Sequence, residues 1–159
     1  MNFRIGFGFD VHPFAKNRKL ILGGIEIPSD KGLEGHSDAD VLLHAISDAL
    51  LGSLSLGDIG VHFPNTDPKW KDLDSSIILR KSYDLLTQQG YKISNIDCML
   101  AMEYPKISPF LNQMKKRMSE ILEIEENQIS IKATTTEKLG FVGRSEGVAA
   151  IANVLVYKD

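Results

Sequence analysis

The chain has 159 residues, of which 43% are hydrophobic and 25% charged, and this composition predicts one globular domain over residues 1–159 rather than a disordered or fibrous protein. Its formal net charge of -3 provides no basic surface, so we expect no binding to nucleic acid or to an anionic membrane. The single cysteine excludes an internal disulfide, and no apolar run reaches the ~20 residues that a membrane span needs.

The first predicted element is a strand over residues 5–9, where apolar side chains alternate with two glycines. We expect the apolar side to be packed and the glycine side to stay bare, so that another group can approach the backbone. The strand ends at Asp10-Val11-His12. Residues two apart on a strand point the same way, so Asp10 and His12 project together from its end.

A hairpin and a loop follow. Gly23-Gly24 suits a two-residue turn between short strands at 19–22 and 25–27, and we expect this hairpin to be structural. Residues 28–35 are polar and contain glycine, which predicts a loop that leads to the next helix.

A group of ionisable residues lies in a segment that otherwise predicts a buried helix, from Val41 to about residue 51. Asp40, His44 and Asp48 recur every fourth residue, so they form one polar stripe and point into a common space. The residues that could cap this helix are Ser37 and Asp38.

These polar residues predict a metal centre. Alone, His44 is typical of a hydrogen-bonded core residue, and an Asp-x-His pair is typical of a surface hydrogen bond. Together, Asp10, His12 and His44 supply two imidazoles and one carboxylate, which suits zinc with an open, catalytic fourth position. Asp40 or Asp48 would then orient His44 or pair with other groups.

Two further segments are candidates for binding phosphate. His36 precedes the helix, where free N–H groups and the helix dipole favour an anion, and the alternative is an exposed loop histidine. Residues 134–137 combine three threonines with a glutamate, and glycines and Arg144 follow. This set suits a nucleotide phosphate and its divalent cation, and the alternative is a polar turn.

The remaining pattern predicts the fold class. The elements expected after residue 55 are an irregular loop at 56–68, a helix at 75–89, a strand at 91–102, a helix opening at 108, a strand at 129–136 and an apolar strand at 147–157. We expect an α+β (mixed α/β) fold, a two-layer sandwich of a mixed sheet with helices on one face. The apolar last strand is expected at the centre of the sheet or at an interface.

Five runs along the chain resemble the motifs of the 2-C-methyl-D-erythritol 2,4-cyclodiphosphate synthase family. They are Gly8–His12, Gly35–Asp40, Leu56–Gly60, Phe63–Pro68 and Lys132–Phe141. The resemblance covers essentially the whole chain, and five motifs in the right order are far more specific than any one of them. It implies conversion of 4-diphosphocytidyl-2-C-methyl-D-erythritol 2-phosphate to the cyclic diphosphate with release of CMP, in non-mevalonate isoprenoid biosynthesis. It also implies metal-assisted attack of the substrate's own 2-phosphate on its β-phosphorus.

The resemblance assigns roles to individual residues. Asp10, His12 and His44 match the zinc ligands, and Glu137 would hold magnesium or manganese. His36 and Thr135 would stabilise the transition state. The residues that match the family's substrate-binding motifs are Asp10, His12, His36, Ser37, Asp58, Ile59, Gly60, Phe63, Pro64, Asn65, Thr66, Asp67, Met102, Glu103, Tyr104, Pro105, Lys106, Ile107, Ser108, Thr134, Thr135, Thr136, Glu137, Phe141 and Arg144.

The partners that the resemblance implies are the small cytidyl diphosphate substrate and further copies of the chain. The family forms a homotrimer around its sheets, with active sites between subunits. The N-terminus shows no signal peptide, so we expect a cytoplasmic protein, or one of the plastid stroma if a transit peptide was removed. Asn65 and Glu103-Tyr104 depart from the residues common in the family.

Two other functions fit the same predicted metal centre. A zinc hydrolase would use the open position to generate hydroxide, but no general base is evident beside the three ligands. A non-catalytic trimer could use the metal as a staple and bind an isoprenoid diphosphate or a partner enzyme. Turnover assays distinguish the three functions. Release of CMP indicates the synthase, hydrolysis of a phosphate or ester indicates the hydrolase, and binding without turnover indicates the non-catalytic trimer.

Overall fold

The computed structural model describes residues 2–159. Its strands are β1 (Asn2–Lys16), β2 (Leu20–Leu22), β3 (Ile25–Ile27), β4 (Lys31–Leu33), β5 (Lys92–Ala101), β6 (Ile129–Thr134) and β7 (Gly147–Lys158). Its helices are α1 (Val41–Ser53), α2 (Ile59–His62), α3 (Ser75–Gln88), α4 (Leu111–Leu122) and α5 (Gly140–Gly143). Single 3₁₀ turns at residues 68–70, 108–110 and 126–128 precede α3, α4 and β6.

The alanine- and valine-rich strand β7 lies at the centre of the main sheet, whose order is β4-β1-β7-β5-β6. It pairs antiparallel with β1 and β5, while β5 and β6 run parallel, so the sheet is mixed. The central position predicted for this strand is confirmed. The strands β2 and β3 form the predicted hairpin, and Gly23 and Gly24 adopt the positive φ angles that its turn requires.

The helix α1 is the buried helix that the sequence predicts. It packs against β1 and β7 on one side and against α3 on the other. Leu42, Ile46 and Leu50 are fully buried, which explains why its pattern is apolar on nearly every side. The helix α4 packs on α3 and β6, so the helices cover one face of the sheet and the α+β class is confirmed. Across residues 2–159, no helix combines the length and apolar composition that crossing a bilayer requires.

The apolar side of β1 is not packed within the chain as predicted, whereas the glycine side is approached by another group, as predicted. The apolar side chains at 3, 5, 7 and 9 are exposed, with Ile5 at 80% and Phe7 at 62%. The glycine side is buried, because a Cβ atom added at Gly6 or Gly8 would overlap the backbone carbonyl of α1. The group that approaches the bare backbone is therefore α1 itself.

Several predicted element bounds were wrong. The strand β1 does not end at His12 but continues to Lys16, because its second half pairs with both β4 and β7. The segment 28–35, predicted as a loop, contains β4, and the irregular segment 56–68 contains α2. The strand β6 ends at Thr134, two residues earlier than expected.

Candidate active site

Three side-chain atoms that could ligate a metal ion converge between β1 and the first turn of α1. The Oδ2 atom of Asp10 lies 3.0 Å from Nε2 of His12 and 3.1 Å from Nδ1 of His44. The two nitrogen atoms are 3.1 Å apart. Among residues 2–159, no other group of three or more His, Cys, Asp or Glu side chains brings its ligand atoms together in this way. The end of the predicted strand and His44 of the predicted helix therefore meet as the sequence predicts.

The hydrogen bonds of His12 leave its other nitrogen free for a cation. Its Nδ1 lies 2.7 Å from the carbonyl oxygen of Glu34. A carbonyl can only accept, so Nδ1 carries the hydrogen and Nε2 of the neutral ring has a free lone pair. That lone pair is directed to the point where Asp10 and His44 also meet.

The charges at this point favour a cation. Burial raises the pKa of the Asp10 carboxyl, but hydrogen bonds and attraction to His12 and His44 outweigh it and hold this pKa well below its usual range. Burial lowers the pKa of His12, but the Asp10 carboxylate and the Glu34 carbonyl outweigh it, so the pKa is raised. An ionised Asp10 thus attracts either a proton on the histidines or a metal ion.

The three ligands fit zinc. A tetrahedral zinc ion with bonds of about 2.1 Å places its ligand atoms roughly 3.4 Å apart. The observed separations of 3.0 and 3.1 Å form nearly such a triangle. Two imidazoles and one carboxylate also match the borderline character of zinc and leave a fourth position open.

The ligands line a cavity of about 250 Å³. The predicted binding residues in its wall, besides the ligands, are His36, Ser37, Ile59, Gly60, Phe63 and Asn65. Trp70 also lines it and packs edge-on against Phe63, with ring centroids 5.2 Å apart. Asp58 and Asp67 lie on the same segment but cap local backbone, accepting from the N–H groups of Val61 and Lys69.

The polar stripe of α1 does not share one space, so this part of the prediction was wrong. Asp40 caps α1 by accepting from the N–H of Leu43, and it also accepts from the N–H groups of Gly23 and Gly24 at 3.1 and 2.7 Å. Asp48 accepts from the N–H of Ile59 at 2.8 Å. These two carboxylates therefore pair with backbone N–H groups of the hairpin and of α2.

The identity of the residue that caps α1 also bears on the phosphate-binding role predicted for His36. Asp40, and not Ser37 or Asp38, caps α1, so the side chain of Asp40 already satisfies an N–H of the first turn. His36 lies in the cavity wall, and its Nε2 is buried without a hydrogen-bond partner among the described residues. A buried donor or acceptor without a partner is costly, so this atom is available to a ligand in the cavity.

The other predicted binding residues form a second group, outside this cavity. Met102 donates its N–H to the carbonyl oxygen of Thr134 at 3.0 Å, which joins segments 102–108 and 134–144. The strand pairing places Thr134 of β6 and Val11 of β1 directly in line across the sheet. Three strand spacings separate these two residues, which is a distance of about 14 Å. Within one chain, the metal ligands and this second group are therefore separate.

Glu103 shapes the turn that presents Glu137. Its carboxylate accepts from the N–H groups of Thr136 at 3.1 Å and Lys138 at 3.2 Å. Glu137 and Lys138 both have positive φ angles, which costs non-glycine residues energy unless the surroundings impose them. Glu103, which differs from the residue common in the family, thus holds the backbone of this turn. The neighbouring Tyr104, which also differs, is exposed.

One polar residue in contact with His44, Ser75, was not predicted to belong to the site. Ser75, the first residue of α3, lies 2.9 Å from Nε2 of His44 and donates its hydroxyl hydrogen to Asp38. A serine next to an N-cap aspartate resembles any helix start, and its partners lie 31 and 37 residues away in the chain, so no local pattern could identify it.

Comparison with known proteins extends over the whole fold. The model of the YgbB family matches residues 3–157. The chain is 59% identical over 153 residues to 2-C-methyl-D-erythritol 2,4-cyclodiphosphate synthase of Chlorobium phaeobacteroides, which covers 96% of this chain and 97% of that protein.

Solved structures show the same architecture. The bifunctional IspDF of Campylobacter jejuni superposes with a TM-score of 0.96 at 42% identity, over 99% of this chain and 43% of that longer chain. IspF of Plasmodium falciparum in its CDP complex superposes with a TM-score of 0.87 at 36% identity, over 99% of this chain and 98% of the other.

Proposed function

The chain belongs to the YgbB family, whose curated relatives are 2-C-methyl-D-erythritol 2,4-cyclodiphosphate synthases, and we propose that it cyclises 4-diphosphocytidyl-2-C-methyl-D-erythritol 2-phosphate with release of CMP. The observation that carries this proposal is the convergence of Asp10, His12 and His44 in the wall of a cavity. Like its relatives, the enzyme is a lyase of isoprenoid biosynthesis.

The proposed reaction is a displacement within the substrate. An oxygen of the 2-phosphate forms a bond to the β-phosphorus. The bond from that phosphorus to the oxygen it shares with the α-phosphate breaks, and CMP leaves with the electron pair. No protein nucleophile is needed, so the chain has to position the two phosphates and neutralise their charge.

The residues around the cavity supply the first part of this task. Asp10, His12 and His44 would hold zinc, which when bound supplies a Lewis acid for the β-phosphate. His36 has a ring nitrogen without a partner in the same cavity, so it would bind a phosphate oxygen as charge develops. The apolar rings of Phe63 and Trp70 would help to exclude water from the methylerythritol part of the substrate.

The second group would bind the cytidyl side. Glu137 is exposed and accepts from the hydroxyl of Thr135 at 3.3 Å, so its carboxylate is accessible to magnesium or manganese on the diphosphate. Thr135 would stabilise the same phosphates. The segment 102–108 would bind cytosine, mainly through backbone groups.

A homotrimer would join the two groups. They lie about 14 Å apart across the sheet of one chain. The bare face of the sheet, which is the face that no helix covers, carries the exposed side chains of Phe3, Ile5, Phe7 and Phe9. A second copy of the chain would cover these large apolar side chains. The metal ligands of one subunit and the Glu137 group of its neighbour would then enclose one substrate.

The His44→Ala variant tests this function. We expect the parental protein to bind one zinc per chain and to release CMP from the cytidyl substrate. The variant should lose both, because two ligands no longer hold the ion in its open site. Zinc content by atomic absorption and CMP release by chromatography are the measurements. Hydrolysis of the substrate without ring closure would favour a hydrolase, and binding without turnover would favour a non-catalytic module.

A further inference from the structure

A chain of hydrogen-bonded polar groups lies behind the ring of His44, on the side away from Asp10 and His12. The Oγ atom of Ser75 lies 2.9 Å from Nε2 of His44. The Ser75 hydroxyl donates to Oδ1 of Asp38, and the backbone N–H of Ser75 donates to Oδ2 of the same carboxylate at 3.1 Å. Ser75 is fully buried, and His44 is 6% exposed.

The direction of these hydrogen bonds follows from the groups themselves. A carboxylate only accepts, so the one hydrogen of the Ser75 hydroxyl is used on Asp38. Ser75 then offers His44 a lone pair, and Nε2 of His44 must carry the ring hydrogen. Ser37, which accepts from the N–H of Ala39 at 3.1 Å, offers the same Nε2 a second acceptor at 3.2 Å.

The consequence for His44 is a defined tautomer. With the hydrogen on Nε2, the Nδ1 atom has a free lone pair, and this atom faces Oδ2 of Asp10 and Nε2 of His12, each at 3.1 Å. A ring that flipped or changed tautomer would direct a hydrogen toward the ligand point instead. Partners of the outer nitrogen of a ligating histidine commonly fix its orientation in this way.

We propose that Ser75, held by Asp38, is a positioning residue that keeps Nδ1 of His44 unprotonated and directed at the ligand point. Asp38 also accepts from the N–H of Asp40 at 3.2 Å, so it ties the start of α3 to the start of α1, where His44 lies. This role rests on the metal centre of the proposed function. It brings α3 into the site, although none of the predicted binding residues lies on this helix.

The test compares Ser75→Ala with Ser82→Ala. Ser82 is also buried on α3, but its hydroxyl donates only to the carbonyl of Ile78 within the helix. We expect Ser75→Ala to raise the zinc Kd at least ~10-fold by competition with a chelator. Ser82→Ala should keep the parental Kd, and Ser75→Thr, which retains the hydroxyl, should restore most of the affinity. Equal melting temperatures of the two alanine variants would exclude a general loss of structure.

A spectroscopic measurement tests the tautomer without any variant. In the parental chain labelled with ¹⁵N-histidine, the His44 ring should show a protonated Nε2 whose hydrogen exchanges slowly with water, and this exchange should become fast in Ser75→Ala. A neutral His44 ring that carries its hydrogen on Nδ1 in the parental protein, or an unchanged zinc Kd in Ser75→Ala beside normal parental zinc binding, would overturn the positioning role alone. A parental protein that binds no zinc would overturn the proposed metal centre together with it.

Discussion

His36 and Glu137 lie in different segments but share one property, because neither side chain is tied into the core. The Nε2 of His36 is buried without a partner, and Glu137 is exposed at a turn. We expect His36→Ala and Glu137→Gln to keep the melting temperature and zinc content of the parental protein, yet to lose at least ~100-fold in turnover, the scale of one transition-state charge contact.

The magnesium dependence separates these two variants. Glu137→Gln should need much more magnesium or manganese for its residual turnover, because an amide is a weaker ligand than a carboxylate. His36→Ala should keep a near-normal metal requirement. Titration of the initial rate with each cation is the measurement, and a parental rate and metal dependence in Glu137→Gln would remove the proposed second cation site.

Asp40 makes the stability depend on pH. Burial, opposed by N–H donors such as Gly24, raises its pKa to about 6 in the folded protein, above the ordinary value of 3.8. The folded state thus binds this proton more tightly than the unfolded state. The contribution is fully present below pH 3.8 and is lost as the pH rises through 6, and it amounts to about 3 kcal/mol.

The Asp40→Asn variant cannot titrate at this position. We expect the parental protein to gain unfolding free energy relative to Asp40→Asn as the pH falls from 7 to 4. Urea unfolding of both proteins in chelator is the measurement, since zinc binding has a pH dependence of its own. Parallel pH profiles would show that the three backbone donors keep the buried carboxylate ionised throughout.

At the scale of elements, the approach of α1 to β1 decides whether the metal centre forms. A Cβ atom at Gly8 would overlap the carbonyl oxygen of Ala45, the residue next to His44. We expect Gly8→Ala to lower the unfolding free energy by at least ~3 kcal/mol and to weaken zinc binding, because backbone atoms cannot move aside as a flexible side chain can.

Gly52→Ala is the matched control in α1. A Cβ atom there would have only the carbonyl oxygen of Phe7 near it, at 3.8 Å. Alanine is the better helix former, so we expect this variant to be neutral or up to ~1 kcal/mol more stable, with parental zinc affinity. Denaturant unfolding and chelator competition measure both proteins, and equal zinc affinities in the two variants would mean that the closeness of α1 and β1 does not control the site.

At the scale of the whole molecule, the proposed trimer predicts complementation. A His44→Ala subunit keeps an intact Glu137, and a Glu137→Gln subunit keeps intact metal ligands. When the two are neighbours, these intact groups would together form one complete site. Alone, His44→Ala should be inactive and Glu137→Gln should show only its small residual turnover, whereas trimers formed by co-expression should recover about a quarter of the parental sites. A chain that carries both substitutions, mixed with the Glu137→Gln chain, should show no such recovery.

The proposed trimer also predicts the mass of the protein in solution, which light scattering measures. The parental chain should have three times the 17.6 kDa monomer mass. Replacement of the most exposed apolar residue of the bare face, Ile5→Lys, should give a monomer that still binds zinc but does not turn over. A parental monomer at micromolar concentration, or full activity in Ile5→Lys, would contradict shared active sites.

The sequence by itself determined the features that depend on local periodicity. The two-residue repeat of β1 aligned Asp10 with His12, and the apolar pattern after Val41 predicted the buried helix that carries His44. The donor chemistry of these three residues was enough to predict a zinc centre, and the motifs along the chain predicted the family.

Only the tertiary structure decided which partners these faces meet. Periodicity shows that Ile5 and Phe7 share a side of β1, but not that Gly6 and Gly8 face α1, because either side of a strand can be the buried one. The four-residue stripe of α1 split for the same reason, since the hairpin N–H groups that bind Asp40 come from elsewhere in the chain. Ser75 reaches His44 across 31 residues, a contact that packing creates and that no local pattern of residues encodes.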